Sequence, residues 1–438
     1  MSEIHTGNVI KEELKLFDNY IHTKKKLPDN SIIYRDNNYL DKILKISKPY
    51  LLKELSETGY KELLSNINGL SKETNTSIVI QKFSEIYCDL IKKKFRSEYK
   101  NANKELTDFI NKQDSGIKII WGDCYKVLKG MESESIQLMV TSPPYYNARE
   151  YSQWNNLDEY LQDMRMIIKE SYRVLDNHRV WIWNVGDIFD NDNLSVKSVW
   201  GKRRLPLGAY FIKIFEEEGF TFVDDFIWDK GEVQSERHKN GNNPYPFYQY
   251  PANCYEHLLV FHKHRLDKTK YPCPVCGCLK VNGNSQPEIG IQSWECKNYD
   301  CFERSEGNRG KRFSYKTNIT QSHHLKEHEI PKDFINKWRK DIVKFSPVIK
   351  INSKGVNTLG HTAPFPTDIP EFAIRMFTYE GEKVLDPFGG SFTSGIVAKK
   401  LNRTGICIEL NKNLFRKASI ENIFKNLNIT NISEFNYE

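Results

Sequence analysis

The chain has 438 residues, enough for roughly three domains of ordinary size. This length excludes a disulfide-stapled miniprotein. With 39% apolar and 28% charged residues, the composition excludes a disordered chain and a collagen-like fibre. The net charge is +7, and the segment 264–350, with 17 Lys+Arg against 10 Asp+Glu, accounts for all of this excess. There is neither a run of about 18 apolar residues nor a basic-then-apolar leader, so we expect a cytoplasmic protein with no membrane partner.

The first 113 residues carry helical apolar spacing, as in Val79, Phe83, Ile86 and Leu90. We expect an N-terminal helical region over 1–113 and assign it no chemistry. The lysines at 92–94 that follow are typical of a solvated helix end, with contact to DNA as the alternative.

From residue 117 onward, short apolar runs alternate with helical patterns, which is typical of βαβ units around a parallel sheet. The periodicity predicts strands at residues 117–121, 136–140, 179–185, 220–228, 256–261, 383–385 and 405–408. It predicts helices at residues 157–175, 369–377 and 393–401. We therefore expect an α/β body in two parts, 114–263 and 355–438, on either side of a basic insert at 264–354.

The first chemical motif, Thr141-Ser142-Pro143-Pro144-Tyr145, directly follows the second predicted strand. Ligands of open α/β sheets bind beyond the carboxyl ends of the strands, so these residues would face a site. The two prolines fix φ and remove both amide donors, which leaves a rigid turn whose carbonyls can accept hydrogen bonds. With a hydroxyl and a flat ring, the turn suits the exocyclic amine of a stacked base; an ordinary Pro-Pro turn is the alternative.

The second motif, VLDPFGGSFTS at 384–394, reads as a strand end, a glycine-rich turn and a helix start. Glycines allow the backbone to approach a ligand closely, and Asp386 at the strand end can bind a polar or cationic group. Glu409 ends the next predicted strand. In dinucleotide-binding folds, an acid at this place typically accepts hydrogen bonds from ribose hydroxyls. A tight turn without a ligand is the alternative.

These two motifs, in this order, resemble those of the permuted β class of amino-group DNA methyltransferases, which use S-adenosylmethionine. The resemblance covers about 117–263 and 355–425. Phe392 stands where the family usually has glycine, and the N-terminal helices have no counterpart. The sequence also matches the family at GDC (122–124), RVL (173–175), GD (186–187), WDK (228–230) and HTAPFP (361–366).

The resemblance implies a Rossmann-like methyltransferase sheet with helices on both faces and a bound S-adenosylmethionine. The residues that it implies for the cofactor are Asp123, His361, Phe365, Asp386, Phe388, Gly390, Ser391 and Glu409. Ser142, Pro143, Pro144 and Tyr145 would form the catalytic turn and hold a flipped base. Hydrogen bonds from the target amine to Ser142 Oγ and the Pro143 carbonyl would orient the nitrogen lone pair for direct methyl transfer.

The residue before the two prolines bears on the target base. Family members with serine there are mostly N4-cytosine enzymes, and those with aspartate are mostly N6-adenine enzymes. Ser142 therefore favours cytosine N4 in double-stranded DNA, with adenine N6 as the alternative. C5 methylation needs a cysteine nucleophile, which this motif lacks. A restriction-modification system, with a cognate restriction endonuclease as candidate partner, is the expected context.

Five of the nine cysteines fall in the basic insert. Cys273-x2-Cys276, followed after nineteen residues by Cys296-x4-Cys301, has the shape of a zinc ribbon, and Cys278 could replace one ligand. Free cysteines in an irregular loop are the alternative. The segments 304–316 and 337–340 interleave basic and aromatic residues, so we expect the insert to contact phosphates and to select the DNA sequence.

Two rival functions belong to other classes. A nucleic-acid-binding zinc protein without catalysis is one, and the presence of Ser142, Tyr145, Asp386 and Glu409 argues against it. An RNA or protein methyltransferase with the same cofactor is the other, and only a substrate test distinguishes it.

Overall fold

A computed structural model of the chain describes residues 36–112, 116–147, 153–190, 204–231, 253–265, 269–285, 292–302, 310–314, 329–348, 366–425 and 427–437. The described residues divide into two compact units. Unit 1 comprises those within 1–98 and 265–329, and unit 2 comprises those within 99–264 and 330–438.

The α-helices of the described residues are α1 (Tyr39–Ile67), α2 (Thr76–Glu98), α3 (Lys104–Asn111), α4 (Cys124–Gly130), α5 (Leu157–Val174), α6 (Leu207–Glu217), α7 (Lys332–Trp338), α8 (Asp368–Phe377), α9 (Thr393–Lys400) and α10 (Lys412–Phe415). Asn103, Asp123 and Asn156 cap α3, α4 and α5, because each side chain accepts a hydrogen bond from a backbone N–H of the first turn. Among the described helices, none is long and apolar enough to cross a membrane.

The strands of the described residues are β1 (Ile117–Trp121), β2 (Ile136–Thr141), β3 (Leu175–Val185), β4 (Ile188–Phe189), β5 (Arg204–Leu205), β6 (Phe220–Asp229), β7 (Tyr255–Lys263), β8 (Val281–Ser285), β9 (Ser293–Cys296), β10 (Arg312–Ser314), β11 (Ile342–Lys344), β12 (Lys383–Asp386), β13 (Thr404–Glu409) and β14 (Ile432–Asn436). Nine of them form the central sheet of unit 2, in the order β11-β6-β7-β3-β2-β12-β13-β1-β14. Only β7 runs antiparallel to its neighbours in this sheet. The carboxyl ends of the other eight strands therefore lie at one edge, together with the start of β7.

Helices cover both faces of the central sheet. Met139 of β2 packs in the core that includes α4, α5 and α6, whereas its neighbours Leu138 and Val140 pack in the core that includes α8 and α9. Because these strands are buried on both faces, their sequences are nearly continuous apolar runs. The predicted α/β class, with helices on both faces of a mostly parallel sheet, is confirmed.

Unit 1 has one core, which the N-terminal helices share with the cysteine-rich segment. Ile43 of α1 and Phe83 of α2 pack in one buried cluster with Trp294 and Phe313 of the antiparallel sheet β8-β9-β10. A Cβ at Gly277 would lie only 2.7 Å from the Ile43 side chain, so the chain around Gly277 passes very close to α1. Unit 1 is thus assembled from two segments that are far apart in sequence.

Hydrogen bonds between buried groups connect the same two segments. The Tyr39 hydroxyl donates to the Cys276 carbonyl at 3.1 Å, and the Leu279 N–H donates to the Ser47 hydroxyl at 3.0 Å. Both bonds satisfy backbone groups of the cysteine-rich segment that would otherwise be buried without a partner. The helices therefore complete the fold of that segment.

The two units divide the chain differently from the sequence-based regions. The sequence predicts a region 1–113 separate from the insert 264–354, whereas the structure groups most of both in unit 1 and assigns 330–348 to unit 2. The physical reason lies in β11 and α7: Val343 pairs with Trp228 of β6, and the Trp338 ring stacks on Phe372 at 4.1 Å. Apolar spacing predicts a helix or strand but not the partner against which it packs.

Candidate active site

The carboxyl ends of the central strands surround one cleft of about 950 Å³ in unit 2. Thr141 ends β2, Asp386 ends β12 and Glu409 ends β13, so the two sequence motifs meet at this edge. The volume lies at the upper end of the range for small-molecule pockets, which leaves room for more than one ligand.

Asp386 joins the two motifs through hydrogen bonds. The Thr141 hydroxyl donates to Oδ1 and the Ser394 hydroxyl donates to Oδ2, both at 2.6 Å, and the Phe388 N–H donates to Oδ1 at 3.1 Å. Burial raises the pKa of the Asp386 carboxyl group, and these hydrogen bonds partly oppose the shift. Asp386 lines the cleft, but both of its oxygens hold the end of β2, the glycine-rich turn and the start of α9 together.

The glycine-rich turn has two positions that need glycine. A Cβ at Gly389 would lie 3.0 Å from the Cys407 Cβ, and Gly390 has a φ of +51°. The Gly390 N–H donates to Glu409 Oε2 at 2.9 Å, which ties the turn to the end of β13. The backbone of this turn is therefore held close to the floor of the cleft.

Phe392 departs from the glycine of the family pattern but keeps a backbone conformation typical of glycine, with φ +61° and ψ 27°. Its ring is fully buried, with its centroid 5.6 Å from that of Trp121 and 6.0 Å from that of Phe424. The left-handed conformation costs a residue with a Cβ about 1 kcal/mol, and burial of the ring offsets that cost. The departure therefore does not remove the turn.

Glu409 and Asp123 line the cleft at the ends of β13 and β1. Glu409 Oε1 accepts from the Asn411 N–H at 2.8 Å, and burial raises the pKa of this carboxyl group against its backbone hydrogen bonds. Asp123 accepts from the Lys126 N–H at 2.9 Å as the cap of α4. Both acids thus have fixed positions.

The Ser-Pro-Pro-Tyr turn is held by neighbouring hydroxyl groups. Tyr160 of α5 donates to the Pro144 carbonyl at 3.0 Å. Tyr145 Oη accepts from the Gly186 N–H at 3.0 Å and donates to Glu256 Oε2 at 3.0 Å. Burial raises the pKa of Tyr145 well above its ordinary value, so this hydroxyl stays protonated.

Glu256, at the start of β7, is a member of this site that the sequence analysis does not identify. Its Oε2 accepts from Tyr145 Oη at 3.0 Å and from Asn184 Nδ2 at 3.1 Å, and its Oε1 accepts from Lys230 Nζ at 2.9 Å. A Cβ at Gly186 would lie 2.9 Å from Glu256 Cγ, so only glycine allows this approach. We call these side chains the Glu256 network.

Acidic groups dominate the cleft. The described ionisable side chains that line it and bear carboxyl or amino groups are Asp123, Asp163, Lys230, Glu256, Asp386 and Glu409. Lys230 is paired with Glu256, so the remaining charge is negative. Such a cleft favours a cationic ligand or one rich in hydrogen-bond donors over one that carries phosphates.

The four predicted zinc ligands lie together in unit 1. The Sγ atoms of Cys273, Cys276, Cys296 and Cys301 are buried and within 4.8 Å of one another. Two of these distances are 4.0 Å (Cys273–Cys301) and 3.7 Å (Cys276–Cys296), close to the roughly 3.8 Å between sulfurs of a tetrahedral zinc site with bonds of about 2.3 Å. Cys278 lies outside the group, and its thiol donates to the Cys276 carbonyl. The donor set and geometry fit zinc.

Part of the predicted site lies outside the described residues. His361 and Phe365, which the resemblance implies for the cofactor, belong to this part, as does most of the basic stretch at 304–316. The other predicted cofactor residues and the catalytic turn line the one cleft.

Comparison with known proteins identifies the family. Residues 136–420 match the model of the DNA methylase family of N6- and N4-methyltransferases, and the chain belongs to this family of DNA amino-methyltransferases. It is 38% identical to the Type II beta methyltransferase M.BslI of Bacillus sp. (strain NEB-606) over 360 residues, which are 82% of this chain and 32% of that protein. It is 22% identical to the Type II methyltransferase M.SmaI of Serratia marcescens, over 67% of this chain and 87% of that protein.

The chain thus spans about a third of the length of M.BslI. Among solved structures, it is similar to TTHA0409 of Thermus thermophilus, a candidate DNA modification methylase in complex with S-adenosyl-L-methionine. The identity is 19%, the match covers 73% of this chain and 98% of that chain, and the TM-score is 0.48.

Proposed function

We propose that this chain transfers a methyl group from S-adenosylmethionine to the exocyclic N4 amine of cytosine in double-stranded DNA. The observation that carries the proposal is the 2.6 Å hydrogen bond between Thr141 and Asp386, which joins the proposed base motif and the proposed cofactor motif around one cleft. Two ligands that react directly with each other need such a common cleft, because much of the rate acceleration comes from their proximity.

The cleft suits S-adenosylmethionine by its chemistry. This cofactor carries a sulfonium cation and ribose hydroxyls, and when bound it supplies an electrophilic methyl group. The acidic lining favours the cation, and Glu409 keeps lone pairs that can accept from ribose hydroxyls. Asp386 would act mainly by shaping the turn, since its Oδ1 already accepts two hydrogen bonds and its Oδ2 accepts one. The proposed cofactor residues are Asp123, His361, Phe365, Asp386, Phe388, Gly390, Ser391 and Glu409.

The proposed base site is the turn Ser142-Pro143-Pro144-Tyr145. A flipped base would stack on the Tyr145 ring, while its amine donates to Ser142 Oγ and to the Pro143 carbonyl. The Glu256 network supports this assignment because it fixes the Tyr145 ring before the base arrives. Serine in place of aspartate favours cytosine N4, and adenine N6 is the alternative.

We propose a restriction-modification system as the biological context, with a cognate endonuclease as partner. The similarity to the Type II methyltransferases M.BslI and M.SmaI supports this proposal. Genomic DNA from cells that express the protein should resist cleavage at the methylated sequence, and unchanged cleavage at every such site would count against it.

In unit 1, we propose one structural Zn²⁺ on Cys273, Cys276, Cys296 and Cys301 and a DNA-contacting surface. The sequence over 1–98 and 265–329, the ranges to which unit 1 belongs, holds 28 Lys+Arg against 22 Asp+Glu, whereas the rest of the chain is balanced at 36 against 35. Tyr299, which lies between Cys296 and Cys301 in the sequence, is 71% exposed, and Lys280 Nζ lies 5.4 Å from the centre of its ring. Exposed aromatic rings beside cationic groups suit nucleic acid.

Incubation with cofactor labelled in the methyl group, together with DNA and RNA of mixed sequence, tests the reaction. We expect label in DNA only. Label in RNA or in protein, with none in DNA, would overturn the proposal. Elemental analysis of the purified protein tests the metal, with one zinc per chain expected.

A further inference from the structure

Lys230 carries the one cationic group among the described residues that line the cleft. It directly follows β6, and its Nζ lies 2.9 Å from Glu256 Oε1 and 5.7 Å from the centre of the Trp228 ring. Only 15% of the side chain is exposed. Within the described part of the chain, Glu256 is the one hydrogen-bond acceptor of this ammonium group, so two of its three N–H donors remain for a ligand.

A buried ammonium group with unused donors is costly unless it gains an acceptor. Glu256 already balances the charge of Lys230, which weakens the attraction for a phosphate or a carboxylate and favours a neutral carbonyl oxygen as the partner. Glu256 also fixes the place of the group, because its other carboxylate oxygen accepts from Tyr145 Oη at 3.0 Å. The ammonium group therefore lies beside the residue on whose ring the target base is proposed to stack.

We infer that Lys230 contributes to the choice of base by donating to the carbonyl oxygen O2 of the target cytosine. On the proposed function, on which this inference rests, the exocyclic amine donates to Ser142 and to the Pro143 carbonyl. In cytosine, the edge that bears the amine continues with the ring nitrogen N3 and then with O2. Adenine also has a ring nitrogen next to its amine, but a C–H group follows where cytosine has O2. The two bases thus differ at the atom assigned to Lys230.

A donor at this place discriminates through the group that is left unpaired. With cytosine bound, the Lys230 ammonium group has acceptors in both Glu256 and O2. With adenine bound, the C–H group takes the place of O2, and the buried ammonium group lacks that acceptor. A site built to hydrogen-bond a substrate group strongly rejects an analogue without that group. Lys230 therefore adds a preference for cytosine that is independent of Ser142.

The test compares two target bases in the DNA sequence that the enzyme methylates. One duplex has cytosine at the target position, and the other has the C-nucleoside of 2-aminopyridine, which keeps the amine and the ring nitrogen but lacks O2. The measured quantity is the ratio of kcat/KM for cytosine to kcat/KM for the analogue. We expect this ratio to fall about 10- to 100-fold from the wild type to Lys230→Met, because only the wild type loses a charged hydrogen bond on the analogue.

Two further variants separate this role from a structural one. The double variant Glu256→Gln/Lys230→Met removes the ion pair without leaving an unpaired carboxylate, and its ratio should fall by a similar factor. Lys213→Met is the matched control, since this side chain of α6 is 75% exposed, and it should keep the wild-type ratio. The dissociation constant for S-adenosylmethionine should be the same in all of these proteins.

Three outcomes would count against the inference. An equal loss on both duplexes in Lys230→Met would assign the group to a phosphate, and weaker S-adenosylmethionine binding would assign it to the cofactor. Either result, obtained with a wild-type enzyme that methylates cytosine, would overturn the role of Lys230 and leave the proposed function intact. A wild-type enzyme that methylates no cytosine would overturn the proposed function and the inference together.

Discussion

The buried carboxylate of Asp386 connects the two motifs by hydrogen bonds. Its oxygens take hydrogen bonds from Thr141, Ser394 and the Phe388 N–H. A carboxylate in this position contributes through the groups that it orients, in addition to any contact with a ligand. Substitutions at Asp386 should therefore disturb both halves of the site, whereas substitutions in the base turn should disturb only one.

Ser142→Ala tests this division. The variant lacks the hydroxyl proposed to accept from the target amine but keeps every proposed cofactor residue. We expect about 100-fold lower turnover with an unchanged dissociation constant for S-adenosylmethionine by calorimetry. Asp386→Ala should weaken cofactor binding first and lower turnover as well. Loss of cofactor binding in Ser142→Ala would contradict the assignment of the two motifs.

Phe392 offers a test of backbone conformation. Phe392→Ala should lower the free energy of unfolding by about 3–5 kcal/mol, because a fully buried ring is lost. Phe392→Gly should cost roughly 1 kcal/mol less than alanine, because glycine adopts a φ of +61° without strain. Urea denaturation measures both values.

Phe211, fully buried in the middle of α6, is the matched control. There glycine should be worse than alanine by about 1 kcal/mol, because the position is helical. The same order at Phe392 as at Phe211 would contradict the left-handed conformation at Phe392.

His257 should make stability depend on pH. Burial lowers the pKa of its imidazole, but the carboxylates of Asp187 and Asp225, at 3.8 Å and 2.8 Å from its ring nitrogens, outweigh this and raise the pKa to about 9. Relative to an unfolded pKa of about 6.5, the charged form then contributes at most roughly 3 kcal/mol, fully present below pH 6.5 and lost as pH rises through 9. Thermal unfolding should show this loss in the wild type and a weaker slope in His257→Gln. Equal slopes would contradict the pairing.

At the scale of elements, local sequence was sufficient for the buried strands. The predicted bounds of β1 agree with the structure, and those of β12 and β13 agree within one residue at either end, because parallel strands that are buried on both faces are continuous apolar runs. The predicted start of β3, residue 179, lies four residues after the observed start at Leu175, because Asp176 and Asn177 are polar although they are buried. Polar residues in a buried strand give no apolar signal.

Glu256 could not be predicted from periodicity for a related reason. It is the second residue of β7, and it reaches the active edge only because β7 is antiparallel to β3 and β6. Strand direction depends on long-range pairing, which a local pattern does not contain. The matched pieces at 186–187 and 228–230 flank Glu256 in the structure and were the available signal.

The cysteine-rich segment should depend on its metal for order. Its four candidate ligands are part of the buried core of unit 1, and structural zinc contributes on the order of 10 kcal/mol in small isolated modules. Cys296→Ser should therefore expose the segment to limited proteolysis and weaken DNA binding, while cofactor binding is unchanged. Cys278→Ser, which alters a cysteine outside the metal group, is the control. A Cys296→Ser protein with unchanged DNA affinity and protease resistance would contradict the metal site.

In the whole molecule, the acidic cleft belongs to unit 2 and the basic excess belongs to the sequence of unit 1. Unit 2 contains the cleft, and the sequence ranges 99–264 and 330–438 to which it belongs are nearly neutral, whereas the ranges 1–98 and 265–329 of unit 1 carry an excess of six basic residues. Neither the sequence nor its periodicity could show that unit 1 is built from both 36–98 and 265–314, because such pairing is a tertiary property. What the sequence did contain was the composition of each segment, and the regional charge follows from it.

The identity of the methylated nucleoside tests the proposed methyl transfer to cytosine N4 most directly. DNA methylated by the purified protein is digested to nucleosides and analysed by mass spectrometry, with Ser142→Ala protein as the control for contaminating activity. We expect N4-methyldeoxycytidine in the wild-type reaction and none in the control. N6-methyldeoxyadenosine as the product would contradict the assignment of cytosine N4, and no methylated nucleoside in DNA would contradict the proposed activity itself.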